Sequence, residues 1–238
     1  MKGHKDMKTI MLKIALALGA IAAALLPIGA NANPGDMYVS DNGAIYQYTP
    51  SGVPTVFASS LNFPRGLAFD KAGNLFAAIS GNGTVVKFAP NGTQSTVASN
   101  LGFAFGLAFD VFKNLYVSDA LSALYKIAPG GAVSTVFRAS DYGTLQTHQF
   151  FGVAVDKANN VYLADAVQNV VYRFTTRGQQ SIFVSGLAAN GLAFDSMGNL
   201  WSRLRTKMAT FPTAQVSPLV VRSLKSRPLE DRRLSRPG

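Results

Sequence analysis

Short runs of β-branched and aromatic residues alternate with polar, turn-forming residues between residues 37 and 201. Runs of this kind, bounded by glycine, proline, asparagine and aspartate, are typical of β-strands, because alternate side chains of a strand face opposite sides of a sheet. No helical spacing of apolar residues is sustained anywhere in residues 33–201. The pattern therefore predicts an all-β domain over residues 33–201.

One motif recurs four times within this domain. It reads Gly-Leu-Ala-Phe-Asp at residues 66–70, and the same or closely similar versions stand at 106–110, 152–156 and 191–195. Three residues, an asparagine and a second apolar run follow each aspartate, and a third and a fourth run complete each full unit. Four short strands in roughly 40 residues are typical of one blade of a β-propeller.

The repeated aspartates have two readings. As turn residues, they accept backbone N–H bonds, while the glycine or asparagine near the end of each turn takes a positive φ angle. As a ring of carboxylates, they would hold calcium in the channel, and this is the weaker reading because one turn position recurs in every unit. The aspartates at this first position are Asp70, Asp110, Asp156 and Asp195, and a second shared position holds Asp41, Asp119 and Asp165.

The segment Pro-Arg-Gly-Leu-Ala-Phe-Asp-Lys-Ala-Gly-Asn-Leu-Phe at residues 64–76, together with its repeats, resembles the NHL-repeat family. It is also similar to the wider group of six-bladed propellers that includes virginiamycin B lyase-like and gluconolactonase-like proteins. The resemblance extends over residues 37–201. It implies that each Gly-Leu-Ala-Phe-Asp run is the innermost strand of a blade, next to the central channel, and that this chain is a truncated relative.

The number of units leaves closure of the ring open. Three runs at residues 37–61 precede three full units at 66–101, 106–139 and 152–187, and a fragment at 191–201 contains one run and the start of another. The fragment either completes the N-terminal piece, which gives four blades, or begins a fifth blade. An incomplete ring would expose strand edges through which the protein could form oligomers.

The N-terminal residues 1–32 are predicted to be a signal peptide. Lys8 and Lys13 precede an apolar run at residues 14–26, and Ala30 and Ala32 supply the small side chains of a cleavage site. Cleavage near Ala32 would give a secreted or periplasmic protein that is not held in a membrane. The alternative is an uncleaved membrane anchor.

The C-terminal residues 202–238 form a basic segment without a sustained apolar pattern. They contain nine lysines and arginines and only two acidic residues, and they are predicted to be a disordered or non-native tail, with contact to an anionic surface as the alternative. The net charge of +10 lies at the two ends, since residues 33–201 contain nine basic residues and nine aspartates. The balanced body argues against nucleic acid as a partner.

Enzyme chemistry has little support in the sequence. There is no cysteine, His148 is the only histidine besides His4, and residues 33–201 contain no glutamate. The resemblance implies a glutamate among the metal ligands of gluconolactonases and a histidine base in virginiamycin B lyases. We therefore expect a binding scaffold without a metal or cofactor, with calcium as a minor possibility. A metal-dependent lactonase or lyase is the alternative.

The residues that precede the inner-strand glycines are the candidate binding site. Equivalent positions hold Arg65, Phe105, Phe151 and Asn190, and they differ although the strands around them repeat. An insertion at residues 139–149 brings His148 to the same face. A cation, two rings, an amide and an imidazole at the channel rim predict binding of an anionic or sugar-like small molecule, or of a protein. Ordinary packing between blades is the alternative.

Overall fold

The chain folds almost entirely into antiparallel β-sheets. This computed structural model describes residues 23–25, 35–121, 123–142, 147–204 and 221–224. The described strands form four sheets of four strands and one sheet of three, and the remaining described element is a short 3₁₀ helix at Ala139–Tyr142. The predicted all-β class and four-stranded blades are confirmed.

The sheets follow one another along the chain as five blades, and no closed ring is found among the residues that the structure describes. Blade 1 contains β1 (Ala23–Leu25), β2 (Met37–Ser40), β3 (Ile45–Tyr48) and β4 (Pro54–Ala58). Blade 2 contains β5 (Pro64–Phe69), β6 (Leu75–Ile79), β7 (Thr84–Phe88) and β8 (Gln94–Ala98). Blade 3 contains β9 (Ala104–Phe109), β10 (Leu115–Asp119), β11 (Ala123–Ile127) and β12 (Val133–Arg138). Blade 4 contains β13 (Phe150–Val155), β14 (Val161–Asp165), β15 (Val170–Phe174) and β16 (Gln180–Ser185). Blade 5 contains β17 (Ala189–Phe194), β18 (Leu200–Leu204) and β19 (Val221–Leu224).

Strand pairing at the two ends of the propeller decides whether the fragment at residues 191–201 completes the N-terminal piece or begins a fifth blade. The fragment at residues 191–201 begins a fifth blade, because β17 pairs with β18 and β18 pairs with β19. The strand that completes blade 1 is β1, which pairs with β2 and comes from the apolar run of the predicted signal peptide. Two parts of the segment predicted to be a tail are strands. Residues 202–204 end β18, and residues 221–224 form β19, which pairs with the free edge of β18. The rest of that segment lies outside the described residues.

The Gly-Leu-Ala-Phe-Asp runs are the innermost strands, as the resemblance implies. Each of them lies at the edge of its sheet and contacts the inner strand of a neighbouring blade. The glycines make this approach possible. A Cβ atom on Gly152 would lie 2.7 Å from the backbone nitrogen of Leu192, and one on Gly106 would overlap the carbonyl oxygen of Phe151. These positions therefore exclude every side chain because a neighbouring backbone already fills the space.

The hydrophobic core lies between the blades. Ala78 and Val85 of blade 2 pack against Leu107, Leu115 and Ile127 of blade 3, and all five are buried. Similar clusters fill the interfaces on either side. Because each cluster draws on two blades, a single blade would leave one apolar face uncovered, and the repeats stabilise one another.

Serine hydroxyls link neighbouring blades at every other interface. Ser40 donates to the carbonyl oxygen of Arg65 at 2.6 Å, and Ser118 donates to that of Phe151 at the same distance. The Ser118 hydroxyl also accepts a hydrogen bond from the backbone N–H of Gly106 at 2.8 Å. The corresponding position holds Ala78 in blade 2. The hydroxyl links therefore join blade 1 to blade 2 and blade 3 to blade 4.

The repeated aspartates build turns, as the first reading predicts. In blade 4, Asp156 accepts the backbone N–H of Asn160 at 2.8 Å and its side-chain amide at 2.8 Å. The other described turns have the same arrangement. The positive-φ residue is Gly73, Asn159 or Gly198 in three turns, as predicted, and Lys113 in the fourth.

The tyrosines that follow these turns are held in their neutral form. Burial and the nearby carboxylate of Asp156 raise the pKa of Tyr162 to about 12, and its hydroxyl donates to that carboxylate at 3.1 Å. Burial and Asp110 raise the pKa of Tyr116 to about 12 in the same way.

In blade 5 burial acts to raise the pKa of the Asp195 carboxyl, but hydrogen bonds from Trp201 and Asn199 outweigh it and lower that pKa to about 2.

Raising the pH from 9 to 12 should lower the free energy of unfolding. Folded tyrosines keep their protons up to a pKa of about 12, whereas in the unfolded chain they release them near pH 10. Their stabilising effect is thus fully present below pH 10 and is lost as the pH rises toward 12. Urea unfolding across this range measures the loss, and Tyr162→Phe should make the dependence shallower. An unchanged slope in the variant would contradict the assignment to Tyr162.

Candidate functional site

The structure brings the predicted rim residues to one end of the inner strands. Arg65 lies in β5, Phe105 in β9, Phe151 in β13 and Asn190 in β17, and each directly precedes the glycine at the close approach. The rings of Phe105 and Phe151 lie with their centroids 4.5 Å apart. The guanidinium carbon of Arg65 is 5.8 Å from the centroid of Phe105. A cation and two rings therefore form a continuous row across three blades.

The row carries two buried polar atoms that lack a hydrogen-bond partner within the described part of the chain. These atoms are Nε of Arg65 and Oδ1 of Asn190. A buried polar group without a partner costs about 1–3 kcal/mol, and native structures contain few of them. One atom is a donor and the other an acceptor, and they stand at equivalent positions on β5 and β17. The arrangement can hold a molecule that accepts a hydrogen bond at one end and donates one at the other.

His148 is bound to a buried carboxylate. Its Nδ1 atom lies 2.5 Å from Oδ2 of Asp165, its side chain is 8% exposed, and Asp165 is fully buried. The ring also lies beside Phe150, with centroids 5.4 Å apart. Since β13 begins at Phe150, His148 sits at the same end of the blades as Phe151. The structure therefore places it at the rim end of blade 4, where its ring packs against the buried ring of Phe150.

The sequence singled out Asp165 only as one of the repeated aspartates, and not as the partner of His148. Its Oδ1 atom accepts the backbone N–H groups of Val167 and Gln168 at 3.1 Å each and that of Gln149 at 3.3 Å. The signal was present, because Asp119 occupies the same repeated position and likewise accepts two backbone N–H groups. A histidine in the preceding insertion was the additional hint of a partner.

The insertion itself is only partly described. Residues 139–142 form the 3₁₀ helix after β12, residues 147–149 lead into β13, and residues 143–146 lie outside the described part. Gln168 donates through its side-chain amide to the carbonyl oxygen of Thr147 at 2.9 Å. This contact ties the end of the insertion to the loop that carries Val167, on the face where Arg65 lies.

The described residues hold neither a cluster of metal ligands nor a membrane-spanning helix. They contain no group of three or more histidine and acidic side chains arranged to hold a metal ion. The predicted absence of a metal stays a prediction, and so does the minor calcium alternative. Among the same residues, no helix has the length and apolar character needed to cross a membrane.

Solved structures with the same fold include enzymes and binding proteins. The chain is similar to streptogramin B lyase, with a TM-score of 0.62 and 13% identity over 77% of this chain and 61% of that chain. It is similar to a gluconolactonase from Xanthomonas campestris, with a TM-score of 0.58 and 18% identity over 73% of this chain and 66% of that one. It is also similar to a chain of a nidogen/laminin complex, with a TM-score of 0.62 and 18% identity over 71% and 70%.

These likenesses show the fold. It is a β-propeller of the kind found in virginiamycin B lyase and in gluconolactonases, as the sequence motif predicts. The chain spans about three-fifths of the length of streptogramin B lyase. No family model and no curated protein matches it. The closer assignment to NHL repeats stays a prediction.

Proposed function

We propose that this propeller is a binding protein without catalytic activity, and that the row of Arg65, Phe105, Phe151 and Asn190 holds its ligand. The observation that carries the proposal is the pair of buried, unpartnered polar atoms, Nε of Arg65 and Oδ1 of Asn190, on either side of two packed rings. A ligand that pairs with both atoms removes their desolvation cost, which makes binding favourable.

The chemistry of the row favours a hydroxylated anion such as a sugar acid. A carboxylate accepts from the guanidinium of Arg65, and a hydroxyl group donates to Oδ1 of Asn190. The C–H face of a sugar ring can lie on Phe105 and Phe151, because aromatic rings supply a large apolar surface. A protein that presents an acidic side chain to the same row is the second occupant that this chemistry allows.

We also propose that the protein is exported. Support comes from Lys8, Lys13, the apolar run at residues 14–26 and the small residues before Asn33. Cleavage near Ala32 would remove β1, so blade 1 of the mature protein would keep β2, β3 and β4. The mass of the purified exported chain shows directly whether cleavage occurs there.

The binding proposal is tested with D-glucuronate as the probe. We expect saturable binding by calorimetry, and Arg65→Gln should weaken it about tenfold because a charge-assisted hydrogen bond is lost. The matched control is Arg138→Gln, which removes the same charge from the exposed end of β12. It should leave the affinity within twofold. Melting temperatures of both variants should stay within a few degrees of the parent.

Three results would overturn the proposal. One is the absence of saturable binding by D-glucuronate and by D-gluconate. Another is an equal loss of affinity in both arginine variants, which would indicate attraction to net charge alone. The third is hydrolysis of glucono-lactone together with a large rise in melting temperature by calcium or magnesium that a chelator reverses. That result would identify a metal-dependent lactonase.

A further inference from the structure

A cavity opens on the face opposite the row, where the aspartate turns lie. It has a volume of about 820 Å³ and extends between blades 2 and 3 to the turn of blade 4. Its apolar wall includes Phe76, Phe109, Leu115 and Ile127, and Lys87 lies among them. A volume of this size suits a drug-sized molecule. Because Arg65 and Phe69 stand at opposite ends of β5, this cavity is separate from the row at the rim.

The cavity exists where blade 2 departs from the repeat. In blades 3, 4 and 5 the second strand carries Tyr116, Tyr162 or Trp201, and each donates a hydrogen bond to the aspartate of its own turn. Blade 2 has Phe76 at this position, and a phenylalanine cannot make that bond. Its ring packs edge-on against Phe109 of blade 3, with centroids 5.0 Å apart, as the ring of Tyr162 packs against Phe194. The phenylalanine gives this interface an apolar surface where the other blades have a polar link.

Lys87 is the polar group left inside this apolar space. It lies opposite Phe76 in the strand pairing and is half-buried. No hydrogen bond or ion pair of its ammonium group is found within the described part of the chain. The Lys87 ammonium group is not among the buried unpartnered polar atoms of the described residues, so an entering anion can reach it and form a charge-assisted hydrogen bond.

The mouth of the cavity carries charges of both signs. Lys71, Lys113 and Lys157 line it, and all three are exposed. The turn aspartates Asp70, Asp110 and Asp156 line it as well, so the charges at the mouth balance. Lys87 is therefore the cation of the lining that no aspartate balances, and it gives the cavity its preference for an anion.

We propose that the cavity between blades 2 and 3 binds an amphipathic anion, a small molecule with an apolar body and one carboxylate or sulfonate group. The apolar body lies against Phe76, Phe109 and Ile127. The anionic group pairs with the ammonium group of Lys87. This site does not depend on the row at the rim or on its ligand.

Calorimetry with dodecanoate below its micelle concentration tests this site. We expect saturable binding with one molecule per chain, and no comparable binding of dodecyltrimethylammonium, which has the same tail and the opposite charge. Lys87→Gln should weaken dodecanoate binding about tenfold. The matched control is Lys126→Gln, at the same position of the third strand in blade 3, beside Tyr116 and outside the cavity. It should change the affinity less than twofold.

Four outcomes would contradict this proposal. Dodecanoate could fail to saturate, or the cationic amphiphile could bind equally well, which would indicate a merely apolar surface. The two lysine variants could lose affinity equally, which would indicate attraction to net charge. Lastly, Arg65→Gln could abolish dodecanoate binding while Lys87→Gln leaves it intact, which would place the anion at the rim.

Discussion

Replacing Gly106 with alanine should lower the free energy of unfolding by about 3 kcal/mol. The added Cβ atom would overlap the carbonyl oxygen of Phe151 and lie 2.9 Å from the hydroxyl oxygen of Ser118. The Phe151 oxygen belongs to the backbone of the neighbouring inner strand, so relief requires a movement of one blade relative to the next. The same movement stretches the hydrogen bonds that Ser118 makes to Gly106 and Phe151.

Thermal unfolding followed by circular dichroism measures this effect, and we expect a drop in melting temperature of roughly 10 °C. Gly130→Ala is the matched control, because a Cβ atom there meets nothing within 4 Å and the residue is not among those with a positive φ angle. It should leave the melting temperature within a degree or two. Equal effects of the two substitutions would show that the close approach of the inner strands contributes nothing to stability.

Replacing Asp165 with alanine should cost about 3–5 kcal/mol of folding free energy. The substitution leaves the backbone N–H groups of Gln149, Val167 and Gln168 without their acceptor, and it removes the partner of His148. Asp165 is fully buried, so water cannot readily replace the lost carboxylate. Since β13 follows directly after His148 and Gln149, the rim at Phe151 should loosen as well.

The matched control for this substitution is Asp41→Ala in blade 1. Asp41 stands at the same repeated position, but it is exposed and accepts a hydrogen bond from the adjacent backbone N–H of Asn42. Its loss should cost less than about 1 kcal/mol. Asp165→Asn, which keeps an acceptor oxygen, should recover part of the stability. Urea unfolding at pH 7 compares the three variants, and a cost for Asp165→Ala no larger than for Asp41→Ala would refute this account.

Some residues of the site could be found from the sequence and others could not. Arg65, Phe105, Phe151 and Asn190 were visible because a repeat makes equivalent positions comparable, and a repeated scaffold places equivalent residues at one height in every blade. The bond between His148 and Asp165 was not predicted, since residues 139–149 have no counterpart in the other units with which His148 could be compared. Lys87 was also missed, because its proposed role depends on the apolar ring of Phe76, which stands where the neighbouring blades have a tyrosine.

The sequence by itself determined the strands and the turns. These features depend on local chemistry: alternation specifies a strand, and the aspartate, the asparagine and a residue that tolerates positive φ specify each turn. Only the tertiary structure decided that residues 191–204 begin a fifth blade, that β1 completes the first, and that a cavity lies between blades 2 and 3. Each of these depends on which edge pairs with which and on how two blades fill the space between them. Strand pairing and blade packing depend on contacts between residues far apart in the chain, so no local sequence pattern predicts them.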